Sequence, residues 1–283
     1  MTDSVTFQRI VLGIRHNVPR EGLRQAMDFA SLLGIELRGF FFKEDELRSL
    51  AAFPFVREFR LLEGGWRNIQ STEMTDAIDV AALSAERSFR AAAKTHNLPS
   101  DFEVVQSRSI AEALASVSRT GDILVVAEPE NPGERVSLQF ETTLAAAIGS
   151  PASVMFVPAE IVRNTGPVIA IVNAPDDPCL EVAAEIAALA KERLSVIDGT
   201  KVAAGLCVPG AAGVGIATRE QAALLSSVAD MLEPLRERLV VLTRSNFDNS
   251  LAGMISSIRR VPVLLVEPKS DQGVNNEHSR SDD

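Results

Sequence analysis

Short runs of apolar residues alternate along this chain with longer stretches in which apolar residues recur at helical spacing. The run RIVLGI at 9–14 is typical of a strand buried on both faces. A helical period follows and stops at Gly34. Up to residue 157, the pattern predicts strands at 9–14, 35–42, 102–106, 123–127 and 153–157, and helices at 21–33, 75–96, 110–118 and 142–148. Strands that alternate with helices in this way favour a parallel sheet covered on both faces.

The same order restarts after a linker at 158–166. It predicts strands at 168–173, 194–197, 202–208, 239–242 and 263–266, and helices at 179–190, 218–231 and 250–258. The second copy lacks the long helix that precedes the third strand of the first copy. We therefore expect two tandem α/β domains, 1–160 with an insertion at about 44–70, and a reduced 166–268, followed by a disordered polar tail at 269–283.

Composition excludes several classes of protein. The chain has 283 residues, of which 46% are hydrophobic and 23% charged, so it can bury real cores. Its net charge of −10 disfavours a nucleic-acid partner, because such proteins neutralise phosphates. Cys179 and Cys207 are too few for a disulfide framework or a four-ligand zinc site, and we expect them to be buried thiols. The three histidines are far apart in sequence, so no metal site is expected.

Two uncharged stretches could be mistaken for membrane spans. The stretch at 142–159 is interrupted by Gly149-Ser150-Pro151, and the stretch at 202–218 by Pro209-Gly210. Each is better interpreted as an element followed by a turn than as a span of about 20 residues. Residues 1–8 lack the charged and apolar regions of a signal peptide, so no membrane association and a cytoplasmic location are expected.

Three segments carry a resemblance to a known family: the opening RIVLGIRHNVPREGLRQAMDFASLLGIELRGFFF, the middle FEVVQSRSIAEALASVSRTGDILVVAEP, and the paired endings SPASVMFVP and RVPVLLVEP. Over residues 7–268 the chain resembles the tandem universal stress protein family. The segment KEDELRSLAAFPFVREF is similar to an insertion in bacterial members. The resemblance implies two adenine-nucleotide-hydrolase-like domains, each with a parallel five-stranded sheet flanked by helices, the second of them reduced.

The nucleotide-binding members of that family carry G-x2-G-x9-G-[ST] after the fourth strand. Glycines there let backbone N–H groups approach phosphates at a helix N-terminus. In the first repeat these positions fall near Glu128, Asn131 and the pair Phe140-Glu141, none of them glycine, and the carboxylates would repel phosphate. The remaining candidate donors in this loop are Gly133, Arg135 and Ser137. This chemistry is evidence against ordinary ATP binding.

The matching loop of the second repeat is about six residues shorter. Asn249 and Ser250 stand there in place of the Gly-Ser pair. We favour a plain helix cap over an anion site, and both interpretations stay open.

The residues after each first strand also differ from the family pattern, in which nucleotide binders place an aspartate. The first repeat has Arg15 at this place, and the second has Asn173 with Asp176 and Asp177 slightly later. Arg15 lies at the end of the sheet where open α/β folds bind ligands. It either faces an anion or pairs with Glu128, and we favour the ion pair.

The leading hypothesis is a non-catalytic, stress-associated binding or interaction module with weak or lost ATP binding and no cofactor. One alternative is a nucleotide or anion sensor that uses Arg15, Arg135, Ser137 and Ser250; a second is a slow ATPase. We expect the edge strands at 153–157 and 263–266 to bring the two repeats together as an internal pseudo-dimer. A homodimer formed through the apolar segment 47–66, and an unknown protein partner, stay open.

Overall fold

The computed structural model describes residues 7–14, 20–44, 57–60, 64–68, 71–174, 176–198, 217–220, 232, 235–246 and 249–267. The strands are β1 (Arg9–Ile14), β2 (Glu36–Glu44), β3 (Arg57–Arg60), β4 (Gly65–Asn68), β5 (Ser100–Ser107), β6 (Asp122–Ala127), β7 (Ser153–Val157), β8 (Val168–Val172), β9 (Leu194–Asp198), β10 (Ala217–Glu220), β11 (Leu239–Thr243) and β12 (Val263–Val266). The helices are α1 (Arg20–Leu33), α2 (Ser71–Thr95), α3 (Ile110–Val117), α4 (Pro132–Arg135), α5 (Leu138–Ile148), α6 (Pro178–Ala190) and α7 (Asn249–Arg259), with a 3₁₀ turn at Arg244–Asn246.

One ten-stranded sheet runs through the described part of the chain, in the order β10-β9-β8-β11-β12-β7-β6-β1-β2-β5. Its two halves, β1-β2-β5-β6-β7 and β8 to β12, place their five strands in the same spatial order. Neighbours within each half are parallel. The halves meet where β7 pairs antiparallel with β12, with Val263 opposite Phe156 and Leu265 opposite Val154. We call this junction the seam.

Helices cover both faces of the sheet. Helices α1, α2 and α6 contribute to the core on one face, and α3, α5 and α7 to the core on the other. Every residue of β7, β8 and β11 is buried, and all of them except Ser153 and Thr243 are apolar, as expected for strands covered on both faces. Helix α1 of the first half contacts α6 of the second, so the core on their face continues across the seam.

The predicted α/β class, with parallel strands and helices on both faces, is confirmed. The prediction of a helix at 218–231 is wrong for its first residues, because Ala217–Glu220 is strand β10, parallel to β9. Backbone hydrogen bonds to the open edge of β9 outweigh a weak local helical tendency there. The strand predicted at 202–208 and the tail at 269–283 lie outside the described residues, and the proposed domain boundaries stay predictions.

The described part of the insertion is a two-stranded antiparallel hairpin, which sequence analysis did not predict. Strands β3 and β4 pair with Phe59 opposite Trp66. The two rings lie 5.2 Å apart, and both side chains are exposed. Alternation of apolar and charged residues in such short strands is too brief a signal to be recognised from the sequence.

Candidate functional site

A crevice opens in the first half at the carboxyl ends of β1 and β6. The helix after β1 covers one face of the sheet and the helices after β6 cover the other, so the strand order reverses between these neighbours. Open α/β sheets bind ligands at such switch points. A cavity of about 650 Å³ lies here, lined in part by Ile14, Ala127 and Pro158.

The cavity has apolar walls and an acidic rim. The apolar side chains come from β2, α3, β6 and α5: Phe40, Phe42, Ile110, Leu114, Leu124, Val126 and Phe140. Four carboxylates also line it: Glu21, Glu128, Glu130 and Glu134. Among the described lining residues, the basic side chain is that of Arg20 alone. The described part of the rim therefore carries a charge opposite to what a phosphate group requires.

Two of the predicted ligand donors are bonded within their own loop. The N–H of Gly133 donates to Oδ1 of Asn131 at 2.9 Å, and so closes the cap of α4. The hydroxyl of Ser137 donates to the carbonyl of Glu134 at 2.7 Å and accepts the N–H of Phe140 at 3.2 Å, which caps α5. An anion could recruit these donors only by breaking the caps of both helices.

The third donor, Arg135, binds the loop that carries it. Its Nε donates to the carbonyl of Pro129 at 2.8 Å, and its Nη2 to the carbonyl of Glu130 at 3.4 Å. Its Nη1 lies 3.4 Å from the carboxylate of Glu128. The guanidinium therefore holds residues 128–130 in place.

Glu128, at the first glycine position of the binding motif, links the two halves of the sheet. One carboxylate oxygen accepts the hydroxyl of Ser257 in α7 at 2.5 Å, and the other accepts the N–H of Ala159 at 3.2 Å. Its basic partner among the described residues is Arg135. Arg15, the partner favoured from sequence, lies outside the described residues.

Arg244 occupies the equivalent position in the second half, directly after β11. Its Nη1 donates to the carbonyl of Ser150 at 2.6 Å and lies 2.6 Å from the carboxylate of Glu267, while Nη2 donates to the carbonyl of Ala152. Partial burial lowers the pKa of Arg244 from its ordinary value, against the opposing effect of Glu267. Thus the residue after the fourth strand of each half reaches across the seam, a role that sequence analysis missed.

Asn249 and Ser250 are the first two residues of α7. The helix therefore begins one residue before its predicted start, and both residues lie in its first turn. Their side chains lie outside the described part of the chain, so the choice between a cap and an anion site stays open.

At the switch point of the second half, a buried polar network connects β8, β11 and α6. Asp177 accepts the hydroxyl of Thr243 and the backbone N–H groups of Asn173 at 3.0 Å and Cys179 at 3.2 Å. The side chains of Asp177, Thr243 and Cys179 are all buried. An Asp-Pro pair before an apolar run is a recognisable signal for a helix N-cap. The sequence does not show, however, that Thr243 on β11 is the hydrogen-bond partner of Asp177.

The thiol of Cys179 belongs to the same network, and the prediction that it is buried is confirmed. It donates to the carbonyl of Ile171 at 3.4 Å. Burial, together with the nearby carboxylate of Asp177, raises the pKa of Cys179 well above its ordinary value. A thiol held protonated in this way is a weak nucleophile. Cys207 lies outside the described residues.

Replacing Thr243 with valine is expected to lower the free energy of unfolding by about 1–3 kcal/mol, because it removes a hydroxyl donor from the buried Asp177. Urea denaturation measures the change. Thr142→Val is the matched control, since this exposed hydroxyl donates only to the carbonyl of Leu138, and its effect should stay within about 0.5 kcal/mol. Equal losses in the two variants would contradict a stabilising role for the network.

None of the helices in the described residues is long and apolar enough to cross a membrane. No group of three or more histidine, cysteine, aspartate or glutamate side chains is arranged there to hold a metal ion.

Comparison with solved structures gives full-length likenesses at low sequence identity. A universal stress protein from Archaeoglobus fulgidus aligns with a TM-score of 0.67 and 15% identity over 95% of this chain and 100% of its own. A protein of unknown function from Pseudomonas aeruginosa aligns with a TM-score of 0.54 and 17% identity over 93% and 94%. The cytoplasmic domain of a prokaryotic cation chloride cotransporter aligns with a TM-score of 0.52 and 10% identity over 92% and 96%.

No protein-family model matches the chain, and no curated protein matches it. The structural likenesses therefore show a universal stress protein-type fold. Function has to be argued from the site, because proteins with different functions share this fold.

Proposed function

We propose that this chain, which has the fold of universal stress proteins, is a non-catalytic binding or interaction module that binds ATP weakly or not at all. The observation that carries the proposal is the loop 128–137. Its candidate donors Gly133, Arg135 and Ser137 are all bonded within the loop.

Phosphate binding at this loop would be costly for two reasons. Each N–H or guanidinium contact to a phosphate would replace an existing hydrogen bond of the folded loop, so the net gain is small. The carboxylates of Glu128, Glu130 and Glu134 also line the cavity. These carboxylates would repel a phosphate group, and the repulsion would fall as salt is added.

The second half gives independent support. The buried network of Asp177, Thr243 and Cys179 lies at its switch point. The carboxylate of Asp177 caps α6 there and would repel a phosphate group. In this proposal the second half serves assembly rather than ligand binding.

The proposal includes an internal pseudo-dimer made by the two halves of one chain. The β7–β12 pairing joins what would otherwise be two exposed sheet edges. The contacts of Glu128 to Ser257 and of Arg244 to Ser150 cross the same seam from opposite sides. Pairing between two copies of this chain, an unknown protein partner and a cytoplasmic location stay predictions.

Isothermal titration calorimetry with ATP and magnesium tests the proposal. We expect a dissociation constant weaker than about 0.1 mM, because the loop offers bonded donors and a negative rim. Magnesium chloride alone serves as the blank, and phosphate release from excess ATP should not exceed that of buffer. Micromolar affinity without hydrolysis would favour the nucleotide-sensor alternative, and phosphate release above buffer would favour the slow ATPase; either result would overturn the proposal.

A further inference from the structure

We infer that the cavity at the carboxyl ends of β1 and β6 binds a small organic cation: an amine or ammonium group attached to an apolar body. The inference rests on the proposed function, since it assigns to the same crevice the ligand class that the crevice favours once phosphate is excluded. Three independent observations support it: the volume of the cavity, its apolar and aromatic walls, and the negative charge of the described part of its rim.

The size and walls of the cavity fit an apolar body. Its volume of about 650 Å³ lies within the range of pockets that enclose small ligands. Phe40, Leu114 and Leu124 are almost fully buried and come from three different elements, a strand, a helix and a second strand. The walls are therefore held by the core of the first half and are formed before a ligand arrives.

The described part of the rim has four carboxylates and one basic side chain, that of Arg20, so it favours a positive charge. Glu21 is paired with Arg24 at 2.5 Å, and Glu128 lies near Arg135. Glu130 and Glu134 are exposed lining residues, and no basic side chain in the described part of the chain lies within ion-pair distance of either. A ligand ammonium group near them would gain Coulomb energy, whereas a carboxylate or phosphate would lose it.

The aromatic side chains in the cavity walls also favour a positively charged ligand. Phe40, Phe42 and Phe140 all line the cavity. Aromatic faces attract cations, including quaternary ammonium groups, through the ring quadrupole. An apolar anion of the same shape would gain the wall contacts but neither of the two charge effects.

Three probes that differ only in their head group test the inference: 4-phenylbutylamine, 4-phenylbutanol and 4-phenylbutyrate. NMR titration of the isotope-labelled full-length chain at neutral pH and low salt measures each dissociation constant. We expect the amine to bind at least about ten-fold more tightly than the carboxylate, with the alcohol between them. The advantage of the amine should shrink as salt is added.

Charge variants test the rim. The double variant Glu130→Gln and Glu134→Gln should reduce the preference for the amine over the carboxylate by at least about three-fold. Glu141→Gln is the matched control, because this exposed carboxylate lies on α5 nearby but does not line the cavity. An unchanged preference in the double variant, or an equal loss in the control, would overturn the assignment of the charge effect to the rim.

Substitutions at two adjacent threonines test whether the probes bind in this cavity. Thr143 lines the cavity and Thr142 does not, yet both hydroxyls donate to the carbonyl four residues earlier in α5. Thr143→Phe should narrow the cavity and weaken binding of all three probes by about ten-fold or more, whereas Thr142→Phe should leave binding unchanged. Thermal unfolding of both variants shows that they are folded. Unchanged binding in a folded Thr143→Phe would place the probe elsewhere and overturn the inference.

The remaining outcomes separate this inference from the proposed function. If no probe binds while ATP also binds weakly, the inference fails and the proposed function stands. If 4-phenylbutyrate binds as tightly as the amine, the cavity is merely apolar and the inference fails. Micromolar ATP binding in the same preparation would overturn the proposed function instead.

Discussion

Replacing Asp122 with alanine is expected to lower the free energy of unfolding by about 3–5 kcal/mol, because it leaves the buried Arg9 guanidinium without its counter-ion. The two side chains form a forked pair, with Nε to Oδ1 at 2.7 Å and Nη2 to Oδ2 at 2.8 Å. The hydrogen bond to Asp122 raises the pKa of Arg9 above its ordinary value. An arginine stays protonated even without this partner, so truncation of Asp122 leaves an unpaired charge. Urea denaturation at neutral pH measures the loss.

The matched control is Glu103→Ala, which removes the carboxylate of a cross-strand pair with Arg38 at 2.5 Å. The side chain of Glu103 is 47% exposed, whereas that of Asp122 is 1% exposed, so the control should cost about 0–1 kcal/mol. The double variant Arg9→Met with Asp122→Leu should lose less stability than Asp122→Ala, since no unpaired charge stays buried. Similar losses in Asp122→Ala and Glu103→Ala would contradict this account.

The second large effect concerns the seam. Residues 1–160 expressed alone are expected to form a homodimer or to aggregate, because this fragment removes β12 and leaves the whole of β7 as an exposed edge. Val154 and Phe156, buried in the full chain, lose the strand that pairs with them. Light scattering coupled to gel filtration measures the mass over a range of concentrations, with the full chain as the reference.

Circular dichroism of the same fragment separates folded association from unfolding. A folded dimer with twice the fragment mass would indicate that a second β7 replaces β12, as expected for a self-complementary edge. Aggregation of the fragment would also agree with an unprotected edge. A soluble, folded and stable monomer at all concentrations would contradict the idea that the second half is needed to cover this edge.

Most strands could be predicted because their signal is local. A strand buried on both faces has to be a continuous apolar run, as VIAIV at Val168–Val172 is. The four residues of β10, ATRE, have no such run, and they form a strand because β9 offers them an edge. The local pattern therefore failed where pairing alone determines the conformation.

The candidate site could be predicted only in part. The sequence shows that Glu128 and Asn131 are not glycines, and it shows the candidate donors Gly133, Arg135 and Ser137. That those donors are already bonded depends on how the loop folds back on itself. From the sequence, carboxylates beside the ligand were expected at Glu128 and Glu141. Glu128 lines the cavity, but Glu141 does not.

The sequence by itself determined the alternation of strands and helices and the residue types in the loop 128–137, because burial patterns and residue types are properties of short segments. The tertiary structure alone decided which edges meet and which side chains cross between the halves. Glu128 and Ser257 are 129 positions apart, and Arg244 and Ser150 are 94 positions apart. Contacts at such separations form only when the two halves pair at the seam, because closing the intervening chain into a loop costs conformational entropy. The β7–β12 pairing and the core shared between α1 and α6 offset that cost.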